Sequence, residues 1–382
     1  LFGTRHYRDY HFLLTLSDHV AHFGLEHHES DDSRIPERTI IDPEALETTA
    51  YLLPHEFVHS WNGKFRRPAD LSPPYYDQPM KDDLLWVYEG LTDYLGDLLA
   101  TRCGLWTPQQ YREYLALLAA MMGPGRPGRT WRPLQDTADA AQVLYFAPEE
   151  WTNWRRSTDF YQEGDLLWLE VNTTIRQLTH GRKSLKNFLQ SFYGGPNEGP
   201  QLKTYTFNDL VAALNQVAPY DWANFFLTRL DSVSPEAPLG GIEAAGWKLT
   251  YTSQESQMQR ARENVRHFVS DAYSIGLLLK SNGHITDSIV GMPAYRAGIS
   301  AGMQLVAVNG HRITAGTLRD LLQEALTAGV NSKEPLQLLV LNDDYYKTYS
   351  LDYHGGPRYP HLVQEAGKPD LLDEISKPLA SQ

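Results

Sequence analysis

The sequence predicts an α+β chain in which a mainly helical unit with a small N-terminal sheet precedes a β-rich unit. Three observations predict it. Aromatic and β-branched stretches broken by polar residues fill the first 42 positions. Apolar residues recur at helical spacing from Pro43 to Asn62, and helix dominates from about residue 165 to 230. Strand-like runs take over after SVSPEAPLGGIEAAG, where Pro and Gly cluster. With 382 residues the chain is expected to hold two or three domains. The expected division is 1–238 for the helical unit, 239–354 for the β-rich unit and 355–382 for a tail without an assigned fold.

In chain order, RHYRDYHFLLTLSDHVAHFGLEHHESDDS reads as short strands with an edge near Phe23 to Ser30. Leu46, Ala50, Leu53, Phe57, Val58 and Trp61 then keep one apolar helical face, and Gly63 sits where a helix stops. Pro54 removes one helical N–H and crowds the carbonyl of Ala50, so this helix either kinks there or starts afresh with Pro54 in its first turn. Both readings keep His55 and His59 on one face. LLWVYEGLTDYLGDLLATRCG reads as a second helix ending near Gly104, while MMGPGRPGRTWRP breaks all periodicity and reads as an irregular loop. Helices follow at DLLWLEVNTTIRQLT, SLKNFLQSFYG and FNDLVAALNQV, the last with Thr206 as N-cap and Asp209 in its first turn. WKLTYT, SIGLLL, QLVAVNG and LQLLVL read as strands of the second unit, with one helix at TLRDLLQEALTAG.

Hydrophobic residues at 42% against 21% charged supply a packed interior. A formal charge of -13, from 34 basic and 47 acidic residues, argues against a nucleic-acid surface, which needs a dense basic patch. The same balance attracts cationic groups such as a free peptide amine, or serves solubility alone. Cys103 is the single cysteine, which excludes an internal disulfide and a Cys-rich metal cluster. No apolar run approaches the roughly 18 residues of a membrane span. The chain begins Leu-Phe-Gly without a leader pattern, so an upstream segment is expected, and a periplasmic or secreted location is slightly favoured over a cytoplasmic one.

The stretch YLLPHEFVHSWNG carries the chemistry. His55 and His59, at i and i+4, project from one helical face and can share one ion, and Glu56 between them is placed to take a proton from an attacking water. Two surface histidines on an amphipathic helix would give the same five letters. A zinc ion held by two imidazoles needs a third protein ligand, commonly a carboxylate from a second helix, and Glu89 in WVYEGLTDYLG is the natural candidate. Asp93, one helical turn on, can accept the second N–H of a ligating histidine. Trp86, Val87, Tyr88, Leu91 and Tyr94 surround both carboxylates, a poorly solvated setting for bare acids.

With HEFVHSWNGKFRRP, WVYEGLTDYLG, FYQEGDLLWLEVN and PAYRAGISAGMQLVAVNG in this order, the chain resembles the glycyl aminopeptidase family, HExxH zinc peptidases with a thermolysin-like catalytic domain followed by a PDZ domain. The family's N-terminal β-domain has no counterpart here. The resemblance implies zinc on His55, His59 and Glu89, Glu56 as general base, and removal of small N-terminal residues, glycine and alanine. Tyr161 in FYQEG matches the Tyr-x-x-Gly tyrosine that stabilises the oxyanion in related aminopeptidases. Glu26 in FGLEHHES looks like their amine-binding glutamate, on an edge where a peptide could add by β-pairing. The basic loop Lys64, Arg66 and Arg67 could reach a substrate carboxylate but reads rather as a solvated turn closing the zinc helix, and Trp61 and Asn62 as packing or capping residues.

The resemblance also implies that Ser274, Ile275 and Gly276 form a PDZ loop whose backbone N–H groups hold the carboxylate of a peptide C-terminus, or that the unit is only a structural clamp. Two other readings of the chain remain beside the aminopeptidase. One is a peptide-binding or chaperone-like protein with a vestigial metal site, which an intact Glu56 disfavours; the other is a zinc endopeptidase, if Glu26 meets no amine.

Overall fold

The structure, a computed structural model, describes residues 1–378, so the last four positions of the expected tail lie outside it. Strand Ser30–Ile35 is the middle of the N-terminal sheet. His11–Leu16 pairs with it in parallel. On its other edge Phe23 and Arg34 exchange both backbone hydrogen bonds (3.1 and 2.9 Å), as do Leu25 and Asp32. The edge expected at Phe23–Ser30 is therefore a short antiparallel segment that turns where His27 N–H donates to the Ser30 carbonyl.

Asp42 caps helix Pro43–Thr49 by accepting from the N–H groups of Glu44 and Ala45. The chain then restarts as Leu52–Val58. Pro54 lies in the first turn of this second helix, where a missing N–H breaks no helical bond, so of the two readings the fresh start holds. The next expected helix divides at Glu89 into Leu85–Tyr88 and Gly90–Arg102. Helix Gln162–Leu178 crosses Gly90–Arg102 so closely that a Cβ on Gly90 would lie 2.6 Å from the Phe160 carbonyl oxygen and 2.8 Å from Gly164 Cα. Only glycine lets two backbones touch this way, and the contact adjoins both Glu89 and the turn that carries Tyr161. Thr206 and Asp209 form the expected cap of Phe207–Val217, each side chain bonding the other's backbone N–H.

The first apolar core reaches past residue 239, where the change in composition placed a boundary. Ile242, Ala245, Trp247, Met258, Leu372 and Ile375 all belong to it. Strand Trp247–Thr252 pairs with Tyr359–Gln364 from the tail, so burial of these side chains ties the tail back onto the first unit. A separate second core draws on Val269 to Leu351. Around it lie a three-stranded sheet (Phe268–Asp271, Leu277–Lys280, Ile285–Ser288), a four-stranded sheet and the expected helix Leu318–Gly329. Helix Gln257–Arg266, which the sequence did not announce, packs on Pro43–Thr49 and Pro108–Met121. Among the described residues no helix is long and apolar enough to cross a membrane.

Candidate active site and metal centre

The Leu52–Val58 helix and the break at Glu89 bring three ligand atoms together. His55 Nε2 lies 3.1 Å from His59 Nε2, and Glu89 Oε2 lies 3.5 and 3.3 Å from the two nitrogens. Each imidazole turns its other nitrogen to a partner elsewhere. His59 Nδ1 donates to the Asn62 carbonyl at 2.9 Å. His55 Nδ1 meets Asp93 Oδ1 at 2.9 Å, at an angle poor for a hydrogen bond. With protons on both Nδ1 atoms, two Nε2 lone pairs and an anionic oxygen face one point, which is repulsive unless a proton or a metal cation sits there. A tetrahedral zinc ion with bonds of about 2.0–2.1 Å spaces its ligands roughly 3.3 Å apart, so the donor set fits it in kind and spacing. Among the described residues these three form the one such group of histidine and carboxylate ligands.

Burial opposes the charge on every member, but the pairs outweigh it. Glu89 is held down to about 2 by the two histidines despite burial, and His55 is raised well above its ordinary value by Asp93 and Glu89 despite burial. Trp86, Val87, Tyr88, Leu91 and Tyr94 are all buried, so the acids sit in the apolar shell that their neighbours announced.

Asn62 does more than cap. Its side-chain amide donates to the carbonyls of Val87 (2.8 Å) and Tyr88 (3.1 Å) and to the Thr92 hydroxyl (3.0 Å), while Tyr193 donates to its oxygen (2.9 Å). One fully buried residue thus fixes His59 through its backbone and the turn before Glu89 through its side chain. Lys64, Arg66 and Arg67 are not a solvated turn. Lys64 Nζ pairs with Glu26 Oε1 at 3.1 Å, Arg66 donates to the Phe192 carbonyl, and Arg66–Pro68 is a strand. Tyr88, which the sequence reading left as packing, donates to the same Glu26 oxygen at 2.6 Å. Burial raises the Glu26 carboxyl, yet His59 and Lys64 hold it down to about 2. Oε2 of Glu26 makes no bond among the described residues.

Glu56 is buried beneath Gly24 of the edge segment. A Cβ on Gly24 would lie 1.8 Å from Glu56 Oε1. The obstructing atom ends a flexible side chain, so a substitution there displaces the carboxylate rather than the fold. Gly24→Ala is expected to lower kcat by about 10²-fold with little change in Tm, measured by peptide hydrolysis alongside thermal unfolding. Tyr161, at the start of Gln162–Leu178, has its ring 6.3 Å from that of His55. Glu56, His55 and Tyr161 line one cavity of 590 Å³.

Behind Asp93 lie Asp97 and Asp165, fully buried, with no hydrogen-bond partner except each other, a bond that requires a proton on one of the two carboxyls. Burial, then repulsion from Asp93, pushes Asp165 up to about 8, and burial with repulsion from Asp165 and Asp93 holds Asp97 well above the usual range. A carboxyl raised on folding stabilises below its unfolded pKa and loses that contribution as pH climbs through the folded value. Asp165→Asn is therefore expected to leave Tm unchanged near pH 4 and raise it by roughly 2–4 °C near pH 8, checked by calorimetry across that range.

The Ser274, Ile275 and Gly276 loop does not offer a free cradle. All three N–H groups already donate to the Asp271 carbonyl, at 3.2, 3.2 and 2.9 Å. Strand Leu277–Lys280, along which a peptide would add, is paired on one side with Phe268–Asp271 and on the other with Ile285–Ser288. The chain's own strand stands where a ligand was expected, with its last carbonyl in place of the ligand carboxylate.

The model of the M61 glycyl aminopeptidase family matches residues 48–167, the stretch that holds His55, His59, Glu89 and Tyr161. An aminopeptidase N family protein from Idiomarina loihiensis has a similar fold, with a TM-score of 0.72 at 19% identity over 98% of this chain. This chain spans 63% of that protein's length. The PDZ domain of HtrA3 bound to a phage-derived ligand aligns with 32% of this chain and 95% of its own at 20% identity, with a TM-score of 0.15, too low to carry an argument. No protein of curated function matches. The matched stretch and the cluster inside it agree: residues 48–167 are similar to the M61 glycyl aminopeptidase family, and the His55, His59 and Glu89 donor set lies within them.

Proposed function

We propose that the chain is a zinc-dependent aminopeptidase acting on peptides with small N-terminal residues, glycine or alanine. The observation that carries this reading is the convergence of His55, His59 and Glu89 beside a buried Glu56 that ligates nothing. Zinc on the three ligands would supply Lewis acidity to the scissile carbonyl and ease deprotonation of water there. Glu56 takes the proton of the attacking water and delivers it to the departing amine. The Tyr161 hydroxyl donates to the carbonyl oxygen as negative charge builds on it. Asp93 and Asn62 hold the two imidazoles in the tautomer that frees Nε2. Glu26 meets the substrate ammonium through Oε2, with Tyr88 and Lys64 fixing the other oxygen.

The free edge of the Phe23–His27 segment favours an extended substrate, since the N–H groups of Gly24 and Glu26 make no hydrogen bond among the described residues. We further propose a catalytic unit built from the first core, tail included, and a PDZ-type unit between residues 269 and 353 that acts as a clamp, supported by its separate core and occupied strand edge. The test of function is hydrolysis of Ala-Ala-Ala and its N-acetylated form, with and without a chelator. Cleavage of the free peptide alone, lost on chelation and restored by zinc, is expected. Equal cleavage of both would make the protein an endopeptidase, and cleavage of neither would favour a binding protein.

A further inference from the structure

The cavity that opens beside Glu56 has a cationic wall that the proposed chemistry does not use. Arg262 and Arg266, from helix Gln257–Arg266, line it together with Arg126. Arg126 pairs with Asp159 at 3.4 Å. Arg262 and Arg266 make no hydrogen bond or ion pair among the described residues, and the Arg262 guanidinium has only the Tyr114 ring, 5.9 Å away. Burial depresses the Arg262 pKa, with Arg266 adding to the effect. In a chain with 47 acidic against 34 basic residues, acidic partners are plentiful, so the partly buried Arg262, left without one beside an active centre and with the exposed Arg266 near it, is poised for an anion that arrives from outside.

The layout gives that anion a direction. Glu26 bonds Tyr88, whose ring lies 5.0 Å from that of His59, so the amine site adjoins the His59 side of the centre. The cavity opens on the other imidazole and is walled by His55 and Asp93, with His22, Phe23 and Gly24 of the edge segment along its side. A peptide with its ammonium at Glu26 and its first carbonyl beside Glu56 runs on into this cavity. At 590 Å³ the space is that of a small-ligand site, so only a short peptide fits between the two ends.

We propose, on the basis of the aminopeptidase reading, that this cavity selects short peptides by their C-terminal carboxylate, with Arg262 as the residue that binds it and Arg266 in support. The substrate is then held at both ends, a carboxylate meeting its ammonium and a guanidinium meeting its carboxylate. A charge-assisted bond in a buried setting corresponds to about 10- to 100-fold in kcat/KM.

The test compares Ala-Ala-Ala as free acid and as C-terminal amide on the zinc-loaded enzyme. The acid is expected to be cleaved with kcat/KM at least tenfold higher, mostly through KM, and in Arg262→Met the acid-to-amide ratio is expected to fall to about one. Should Arg262→Met fold poorly by its Tm, Arg266→Met is expected to lower the ratio in the same sense. Titration of Glu56→Gln with the same two peptides reads binding without turnover, and tighter binding of the acid is expected there too. Equal kcat/KM of acid and amide in the unsubstituted enzyme, with equal binding of the two by Glu56→Gln, would overturn the carboxylate site while leaving the aminopeptidase reading in place. Preferential binding of the acid with no cleavage of either peptide would overturn the aminopeptidase reading instead.

Discussion

Glu56→Gln is expected to lower kcat for peptide hydrolysis by about 10²–10⁴-fold, the range a positioned general base supplies. Bound zinc, measured by elemental analysis, is expected to stay at the level of the unsubstituted protein, because Glu56 is not among the three convergent donors. The amide keeps the shape of the carboxylate and fits under Gly24, so KM is expected to shift little. His55→Ala removes an imidazole from the donor set and gives the contrasting pattern, with zinc and activity lost together. If Glu56→Gln retained most of its turnover, the base would have to be sought elsewhere in the same cavity, and the assignment built on the five-residue motif would fail.

The donor set was legible in the sequence because each demand is local. Two imidazoles one turn apart need only a helix, and Glu89 with Asp93 need only a second helix at its own spacing. The fresh start at Pro54 and the break at Glu89 were not resolved, since a helix restarted in the same direction leaves its apolar period unchanged. The contacts of Lys64, Tyr88 and Asn62 were not legible for another reason. Their partners Glu26, Val87 and Tyr193 lie 25 to 131 positions away, and no spacing rule spans such gaps. The boundary at 239 misled because Pro and Gly mark turns, whether a turn separates two cores or lies within one. Ile242 and Trp247 on one side and Leu372 on the other pack together only once the chain has returned on itself. Ser274, Ile275 and Gly276 gave the loop but not its occupant, because the competing acceptor is the chain's own Asp271.

The second large effect is expected in MMGPGRPGRTWRP, which aperiodicity marked only as an irregular loop. Its Arg126 and Arg129, with Arg156 further on, converge on Asp159 and Glu163, the residues on either side of Tyr161. Arg156, 1% exposed, is 2.6 Å from Asp159 and also bonds Glu163, while Arg129 holds Glu163 at 2.8 Å. Burial raises the Asp159 carboxyl, but Arg126 and Arg156 outweigh it and keep the pKa below the ordinary value. Three guanidiniums thus share two carboxylates, and that imbalance makes the outcome depend on which partner is removed. Arg156→Met leaves two cations facing two anions, each still paired. Glu163→Ala leaves three cations with one anion, and Arg129 loses its carboxylate partner. Removing one partner of a buried pair costs about 3–5 kcal/mol, so Glu163→Ala is expected to lower Tm by roughly 6–20 °C and to reduce kcat as the Tyr161 turn loosens. Arg156→Met is expected to cost clearly less, although it also breaks contacts to both acids. Asp159 carries a pH signature as well: a carboxyl depressed on folding stabilises above its unfolded pKa, and that contribution is lost as pH falls through the folded value. Unfolding of both variants followed by calorimetry from pH 7 to pH 3 checks the order, and equal losses in the two would mean that packing rather than charge balance holds this turn.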